Sequence, residues 1–120
     1  MKVAVVGSRS LGREYYRLLE EHIPAECSEV ISGGAAGVDR LAREYAESRN
    51  ISLVEFLPDY KSYERSAPIV RNAEIVARAD LVLIFWDGCS KGSRNVIMTC
   101  INTHKPYRVI LCNGGQTGGI

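Results

Sequence analysis

Three short glycine-bearing segments each stand between an apolar run and a helix-like run, and this arrangement constrains the fold more than any other feature of the chain. They are Gly7-Ser8-Arg9, Ser32-Gly33-Gly34-Ala35-Ala36-Gly37 and Asp87-Gly88-Cys89-Ser90-Lys91-Gly92-Ser93. An apolar run without polar alternation marks a strand covered on both faces, the habit of parallel sheets. Parallel strands need crossovers, so repeated strand–turn–helix units predict a parallel sheet with helices on both sides. Each junction is also a place where an anion can sit. Backbone N–H groups point outward there, and the helix dipole favours negative charge. Glycine suits such a turn because a Cβ would hinder close approach of a phosphate.

The predicted strands are Val3 to Val6, Glu29 to Ile31, Ser52 to Leu57 (stopped by Pro58), Asp80 to Trp86, and Tyr107 to Cys112. The first helix runs from about Ser10 to His22, and Pro24 ends it. The second runs from Val38 to Arg49, with Val38, Leu41, Ala42, Tyr45 and Ala46 on one face. Asp59 to Arg65 is polar and aromatic, and reads as a loop. Ser66 can cap a third helix that carries Pro68 in its first turn, with Ile69, Ala73, Val76 and Ala77 facing the core. The fourth runs from Ser93 to His104, and Pro106 breaks it.

The expected fold is therefore α/β, a Rossmann-like three-layer sandwich with a parallel five-stranded sheet. Right-handed crossovers and one reversal of direction give the order 3-2-1-4-5. Residues 1–112 form the domain, and the glycine-rich residues 113–120 are expected to be a flexible tail. That order sets strands 2, 1 and 4 side by side, with the three glycine loops at their C-terminal tips. Ligands of open α/β sheets bind at such a reversal.

A length of 120 residues fits one core, and a hydrophobic content of 46% with 24% charged residues is ordinary for a globular domain. The net charge of +1 argues against a bulk electrostatic grip on nucleic acid or membrane, so any basic site must be local. Cys27, Cys89, Cys100 and Cys112 form no C-x-x-C pair, and His22 and His104 give no ligand spacing. No metal and no cofactor are expected, and the cysteines read as small buried hydrophobes in a reduced, cytoplasmic compartment. Met1 to Val6 reads as a first strand rather than a signal segment, and no run reaches membrane-spanning length.

Two familiar phosphate motifs fail. Gly7-Ser8-Arg9-Ser10-Leu11-Gly12 lacks the middle glycine of the dinucleotide fingerprint, and Arg13-Glu14 stands where the NTPase loop needs Lys and Ser/Thr. The second loop holds three glycines where a plain turn needs one, which favours a ligand. Arg71 can fork a phosphate, although periodicity alone assigns Arg71-Asn72 to a solvated helix face. Asp87 can address a ribose hydroxyl or cap a turn, the latter being the default for Asp-Gly. Trp86 can stack on a base or pack at a strand end. Lys91 and Arg94 flank a helix N-terminus, where a bound anion would offset the unfavourable dipole. Tyr60, Lys61, Tyr63 and Arg65 interleave aromatic and basic residues, as single-strand nucleic-acid sites do.

The series Val6-Gly7-Ser8-Arg9, Ser32 to Asp39, Phe56-Leu57-Pro58, Arg71-Asn72 and Trp86 to Ser93 resembles the SLOG superfamily of Rossmann-like domains, in its YspA/YpsA-related branch. It is also similar to the Rossmann core of the DprA family and to the LOG phosphoribohydrolases. The resemblance implies a ligand that is a nucleotide or nucleotide-derived small molecule, and a homodimer. Apolar contact for the dimer is expected from helix faces bearing Tyr15, Tyr16, Tyr45 or Ile97. The expected ligand-binding positions are Gly7, Ser8, Arg9, Ser32, Gly33, Gly34, Gly37, Asp39, Arg71, Asn72, Asp87, Gly88, Ser90, Gly92 and Ser93. A branched residue at Gly34 is expected to fill the phosphate cradle. Two other activities follow from the relatives. One is LOG-like N-glycosidic hydrolysis of a nucleoside monophosphate, with Glu14 or Asp87 as substitute acids, because the LOG glutamate position falls on Val96. The other is DprA-like single-stranded DNA binding by Arg9, Lys61, Arg65, Arg71, Lys91 and Arg94.

Overall fold

The computed structural model describes residues 1–112, and the expected tail of residues 113–120 lies outside them. The elements alternate along the chain as β1 (Lys2–Gly7), α1 (Tyr16–His22), β2 (Glu29–Ser32), α2 (Val38–Ser48), β3 (Ser52–Glu55), α3 (Tyr60–Tyr63), α4 (Ala67–Arg78), β4 (Leu81–Trp86), α5 (Lys91–Thr103) and β5 (Tyr107–Leu111). All strand pairs are parallel, in the order β3-β2-β1-β4-β5, as the sequence predicts. Ala4 pairs with Ile31 on one side and with Val82 on the other, so β1 is central and the chain reverses direction between β1 and β4.

The pleat explains why the strands are continuously apolar. Val3, Val5, Val30, Leu83 and Phe85 point into one layer, with Leu19 of α1 and Leu41, Ala42, Tyr45 and Ala46 of α2. Ala4, Val6, Ile31, Val82 and Ile84 point into the other, with Ile75 and Val76 of α4 and Val96 and Cys100 of α5. Both layers are sealed from water, so successive residues of β1 and β4 must all be apolar. Truncating one of these side chains to alanine typically costs ~2–5 kcal/mol.

Several boundaries and faces differ from expectation. The first helix is preceded by a 3₁₀ turn at Arg13–Tyr15 and starts at Tyr16 rather than Ser10, because Ser8 to Leu11 form a turn closed by Leu11 N–H to Ser8 O at 3.3 Å. The segment read as a loop contains α3, whose first turn is closed by Ser62 N–H donating to Asp59 Oδ1 at 3.1 Å, followed by a 3₁₀ turn at Glu64–Ser66. Ser66 precedes α4, but its hydroxyl makes no capping bond; Pro68 does stand in the first turn. α4 also turns a different face inward. Ile69 is 57% exposed, and Ala73 and Ala77 face solvent, whereas Ala67, Arg71, Asn72, Ile75 and Val76 are buried. Counting apolar residues misplaced the stripe because its buried stretch includes an arginine and an asparagine. Tyr45 is 5% exposed and belongs to the core, so it offers no dimer contact. Cys27, Cys100 and Cys112 are buried as expected, but Cys89 is exposed on the third glycine loop. No helix among the described residues is long and apolar enough to cross a membrane.

Candidate functional site at the sheet reversal

The three glycine loops converge at the C-terminal tips of β1, β2 and β4, around a cleft of about 410 Å³. Gly7, Ser8, Arg9 and Ser10 line it from the first loop. Gly33, Ala35 and Asp39 line it from the second loop and α2, and Asp87, Ser90, Gly92 and Ser93 from the third loop and α5. α4 contributes Arg71 and Asn72 together with Pro68 and Ile75, and Val6 and Val96 complete an apolar floor.

Close backbone packing brings the loops together. A Cβ on Gly7 would run into the carbonyl oxygen of Phe85 and come within 2.7 Å of the Val38 side chain. Gly37 adopts φ +72° and packs its Cα against the first loop, where a Cβ would lie 2.5 Å from Ser8 O and 2.6 Å from Arg9 O. Ser8 then ties the first loop to the third. Its N–H donates to Phe85 O at 3.0 Å, and its Oγ accepts from Asp87 N–H at 3.0 Å and lies 3.0 Å from Ser90 Oγ.

Asp87 caps the third loop. Its Oδ1 accepts from the N–H groups of Cys89 and Ser90, each at 2.8 Å, and its Oδ2 accepts from Ser10 Oγ at 3.3 Å. Those donors hold the carboxyl at about 2, well below its ordinary value. The capping reading of Asp-Gly therefore describes its geometry. Trp86 packs against the α4–α5 side of the core and donates Nε1–H to Ser90 O at 3.0 Å, which fixes the indole at the strand end. Beyond this turn α5 begins. The N–H groups of its first turn, those of Lys91, Gly92 and Ser93, have no intrahelical acceptor by helix geometry. They carry the positive end of the dipole of a helix 13 residues long. Space is open beside Gly92, where an added Cβ would meet no atom within 4 Å.

The opposite wall holds two buried charges. Arg71 is 9% exposed and makes no salt bridge among the described residues. Its Nη1 donates to Gly33 O at 2.8 Å and its Nε to Asn72 Oδ1 at 3.0 Å. Asn72 in turn donates to Asn95 Oδ1 at 3.0 Å, so α4 and α5 are joined behind the guanidinium. Arg71 Nη2 has no protein acceptor among the described residues. Burial lowers the arginine pKa, and nearby Asp39 opposes that shift. Asp39 is 6% exposed. Its Oδ2 accepts from Ala35 N–H at 3.1 Å, while its Oδ1 is buried without a partner among the described residues. Burial pushes its carboxyl up to about 6, against the pull of Ala35 N–H and Arg71. Glycine at position 33 leaves room for these groups, since a Cβ would lie 2.5 Å from Arg71 Nη1 and 3.0 Å from Asp39 Oδ2 and would displace the guanidinium.

Four expected positions do not line the cleft. Ser32 is fully buried, and its Oγ accepts from Gly34 N–H at 3.1 Å. Gly34 faces a smaller recess shared with Asp39, Arg43 and Glu55, and a side chain there would meet Leu57 rather than a phosphate cradle. Gly37 is the spacer between loops, and Gly88 is an exposed turn residue. Sequence reasoning did not single out the cleft-lining Ser10, Ala35 and apolar floor of Val6, Pro68, Ile75 and Val96, or Asn95, which accepts from Asn72 behind them. Ser10 and Ala35 adjoin glycine loops and were within reach of the motif reading. Asn95 and the floor carry no local signal, because only the approach of α4 to α5 assembles them. Glu14 does not line the cleft, which leaves Asp39 and Asp87 as the carboxylates that do.

No curated protein and no solved structure matches the chain. The model of the YspA, cpYpsA-related SLOG family (YAcAr) matches residues 1–63. That stretch contains the first two glycine loops, Asp39 and the three strands on one side of the reversal. With the match spanning more than half of the sequence, the chain belongs to the YspA, cpYpsA-related SLOG family.

Proposed function

We propose that the cleft binds a nucleotide or nucleotide-derived ligand, with its phosphate held at the N-terminus of α5. One observation carries this reading: Gly92 and Ser93, whose first-turn N–H groups have no intrahelical acceptor, and buried Arg71, whose Nη2 has no protein acceptor among the described residues, line the same cleft at the sheet reversal. The side-chain charges of the cleft nearly balance, with Arg9 and Arg71 set against Asp39 and Asp87. The attraction for an anion therefore comes from oriented N–H groups and from the spare Nη2 of Arg71, which favours a compact phosphate over a long polyanion.

Hydrolysis is the weaker alternative. The LOG glutamate position is Val96, 2% exposed in the apolar floor, and Asp87 is occupied as a cap with its proton lost well below neutral pH. General acid–base work needs a carboxyl group free to exchange a proton near the operating pH, and of the two cleft carboxyls only Asp39, pushed up to about 6, meets that condition, so a hydrolase reading would run through Asp39 and not through Asp87. Single-strand binding draws support from Tyr60 and Tyr63, which are 57% and 48% exposed beside exposed Lys61 and Arg65. A homodimer, if formed, has Met98 and Ile101 of α5 and Val109 and Leu111 of the edge strand β5 as available apolar surface. The test is a thermal-shift panel of nucleoside mono-, di- and triphosphates, the parent nucleosides and a short single-stranded oligonucleotide. Stabilisation by nucleotides that exceeds that by nucleosides is expected, because a ligand of the folded state raises the melting temperature by mass action. No shift with any nucleotide refutes the reading. A shift with the oligonucleotide alone supports the single-strand alternative.

A further inference from the structure

The proposed phosphate contacts leave one strongly polar atom of a cleft-lining side chain unexplained. Asp39 Oδ1 is buried, belongs to a side chain more than nine-tenths buried, and has no donor among the described residues. Its sister oxygen is satisfied by Ala35 N–H, so the orphan is not a misplaced cap of α2. Arg71 makes no salt bridge to it, because Nη1 is turned to Gly33 O and Nε to Asn72. Buried acceptors are almost always paired, and an ionised one left bare is costly. Asp87, the acid that the sequence reading assigned to a ribose hydroxyl, spends its oxygens on Cys89, Ser90 and Ser10.

We propose that Asp39 Oδ1 is the acceptor for a sugar hydroxyl of the ligand, so that the site selects a ribonucleotide over a nucleotide lacking hydroxyls on the sugar. This rests on the nucleotide reading above. The unpaired oxygen is an acceptor, and the groups around it fix what it accepts. A ligand cation is disfavoured because Arg71 stands beside it and Arg9 lines the same cleft. A neutral O–H donor adjacent to a phosphate meets both requirements. Gly33, squeezed between Arg71 Nη1 and Asp39 Oδ2, brings the anion-directed and the hydroxyl-directed groups onto one short stretch of wall. A sugar phosphate carries both functions, a phosphate and neutral hydroxyl donors, in one small molecule.

The experiment compares the four ribonucleoside 5′-monophosphates with their 2′,3′-dideoxy counterparts by calorimetry, on the wild-type chain, on Asp39→Asn and on Asp39→Ala. In Asp39→Asn the amide oxygen keeps the Ala35 N–H bond, and the NH₂ replaces Oδ1 by a donor. For wild type, the best-bound ribonucleotide is expected to exceed its dideoxy analogue by roughly ten- to a hundredfold, the worth of a hydrogen bond to a charged acceptor. In Asp39→Asn that preference is expected to vanish while the dideoxy ligand still binds. Equal affinities for both ligands on wild type overturn the proposal and leave the phosphate reading standing. Binding of neither overturns both. A preference that persists at full size both in folded Asp39→Asn and in Asp39→Ala, which offers the hydroxyl neither acceptor nor donor, shows that another group takes the hydroxyl and also overturns it. The wild-type comparison stands even if the variant does not fold.

Discussion

Asp39→Asn also has a consequence for the unliganded protein, and its size follows from the structure. The folded carboxyl sits at about 6, against an ordinary value of 3.8. The shift comes first from burial, which penalises the charged form. Ala35 N–H and Arg71 recover only part of that penalty. A raised carboxylate pKa means that the folded state binds the proton more tightly than the unfolded chain does. Stability therefore falls as pH rises from about 4 to about 6, and the whole deficit is present at pH 7. At ~1.4 kcal/mol per unit, the deficit is on the order of 3 kcal/mol. Asparagine removes it but leaves an unpaired NH₂ in the position of Oδ1, at a cost of ~1–3 kcal/mol. The variant should thus be as stable as wild type or more so at pH 7, by at most about 2 kcal/mol. It should be less stable at pH 4. Urea denaturation from pH 4 to pH 7 measures this, and the informative quantity is the change in the wild-type-to-variant difference, up to ~3 kcal/mol across the range. Parallel curves for the two proteins would refute the claim that a buried, unpaired carboxylate sits in the cleft. A sugar hydroxyl that pairs Oδ1 should narrow the wild-type deficit, so saturating ligand should stabilise wild type more than the variant at pH 7.

Arg71→Ala should weaken a nucleotide by roughly ten- to a hundredfold while changing its parent nucleoside much less, since a charged hydrogen bond from the spare Nη2 is worth ~1.5–3 kcal/mol; equal losses in calorimetry would show that Arg71 serves only Gly33 and Asn72. Gly7→Ala should lower the melting temperature sharply or prevent folding, because its Cβ meets the Phe85 carbonyl, whereas Gly92→Ala, with open space beside it, should fold normally; circular dichroism melts of the pair decide this. Asp87→Asn should cost about 1 kcal/mol through the weakened cap of the third loop. Asp87 is held at about 2, so its contribution is present above pH 4 and is lost as pH falls through 2; the variant should lack that step in acid titrations followed by fluorescence. Chromatography of nucleoside monophosphates incubated with the protein should show no released base, and turnover that disappears in Asp39→Asn or Asp87→Asn would promote the hydrolase reading.

The sheet order and the place of the cleft were legible because they rest on local and chemically redundant signals. Val3 to Val6 and Leu81 to Phe85 cannot avoid water except as strands covered on both faces. Glycines between such strands and the helices after them mark the tips, and connection rules then leave few orders for five strands. The face of α4 was not legible. Its stripe of Ala67, Arg71, Ile75 beside Asn72, Val76 contains two polar residues that apolar counting assigns to water. Only the convergence of β2, α4 and α5 supplies the partners Gly33 O and Asn95 that make burial of Arg71 and Asn72 tolerable. The same limit explains Asp39 and Asp87. In sequence each is an acid next to a glycine-rich turn. In the folded chain one finds its donors within three residues, and the other is enclosed with an oxygen unpaired among the described residues. Sequence determined where the cleft forms, because backbone geometry and hydrophobic pattern act over short stretches. Tertiary structure decided which charged groups are spent on the fold and which keep an unpaired polar atom, because desolvation depends on what the rest of the chain brings to the same place.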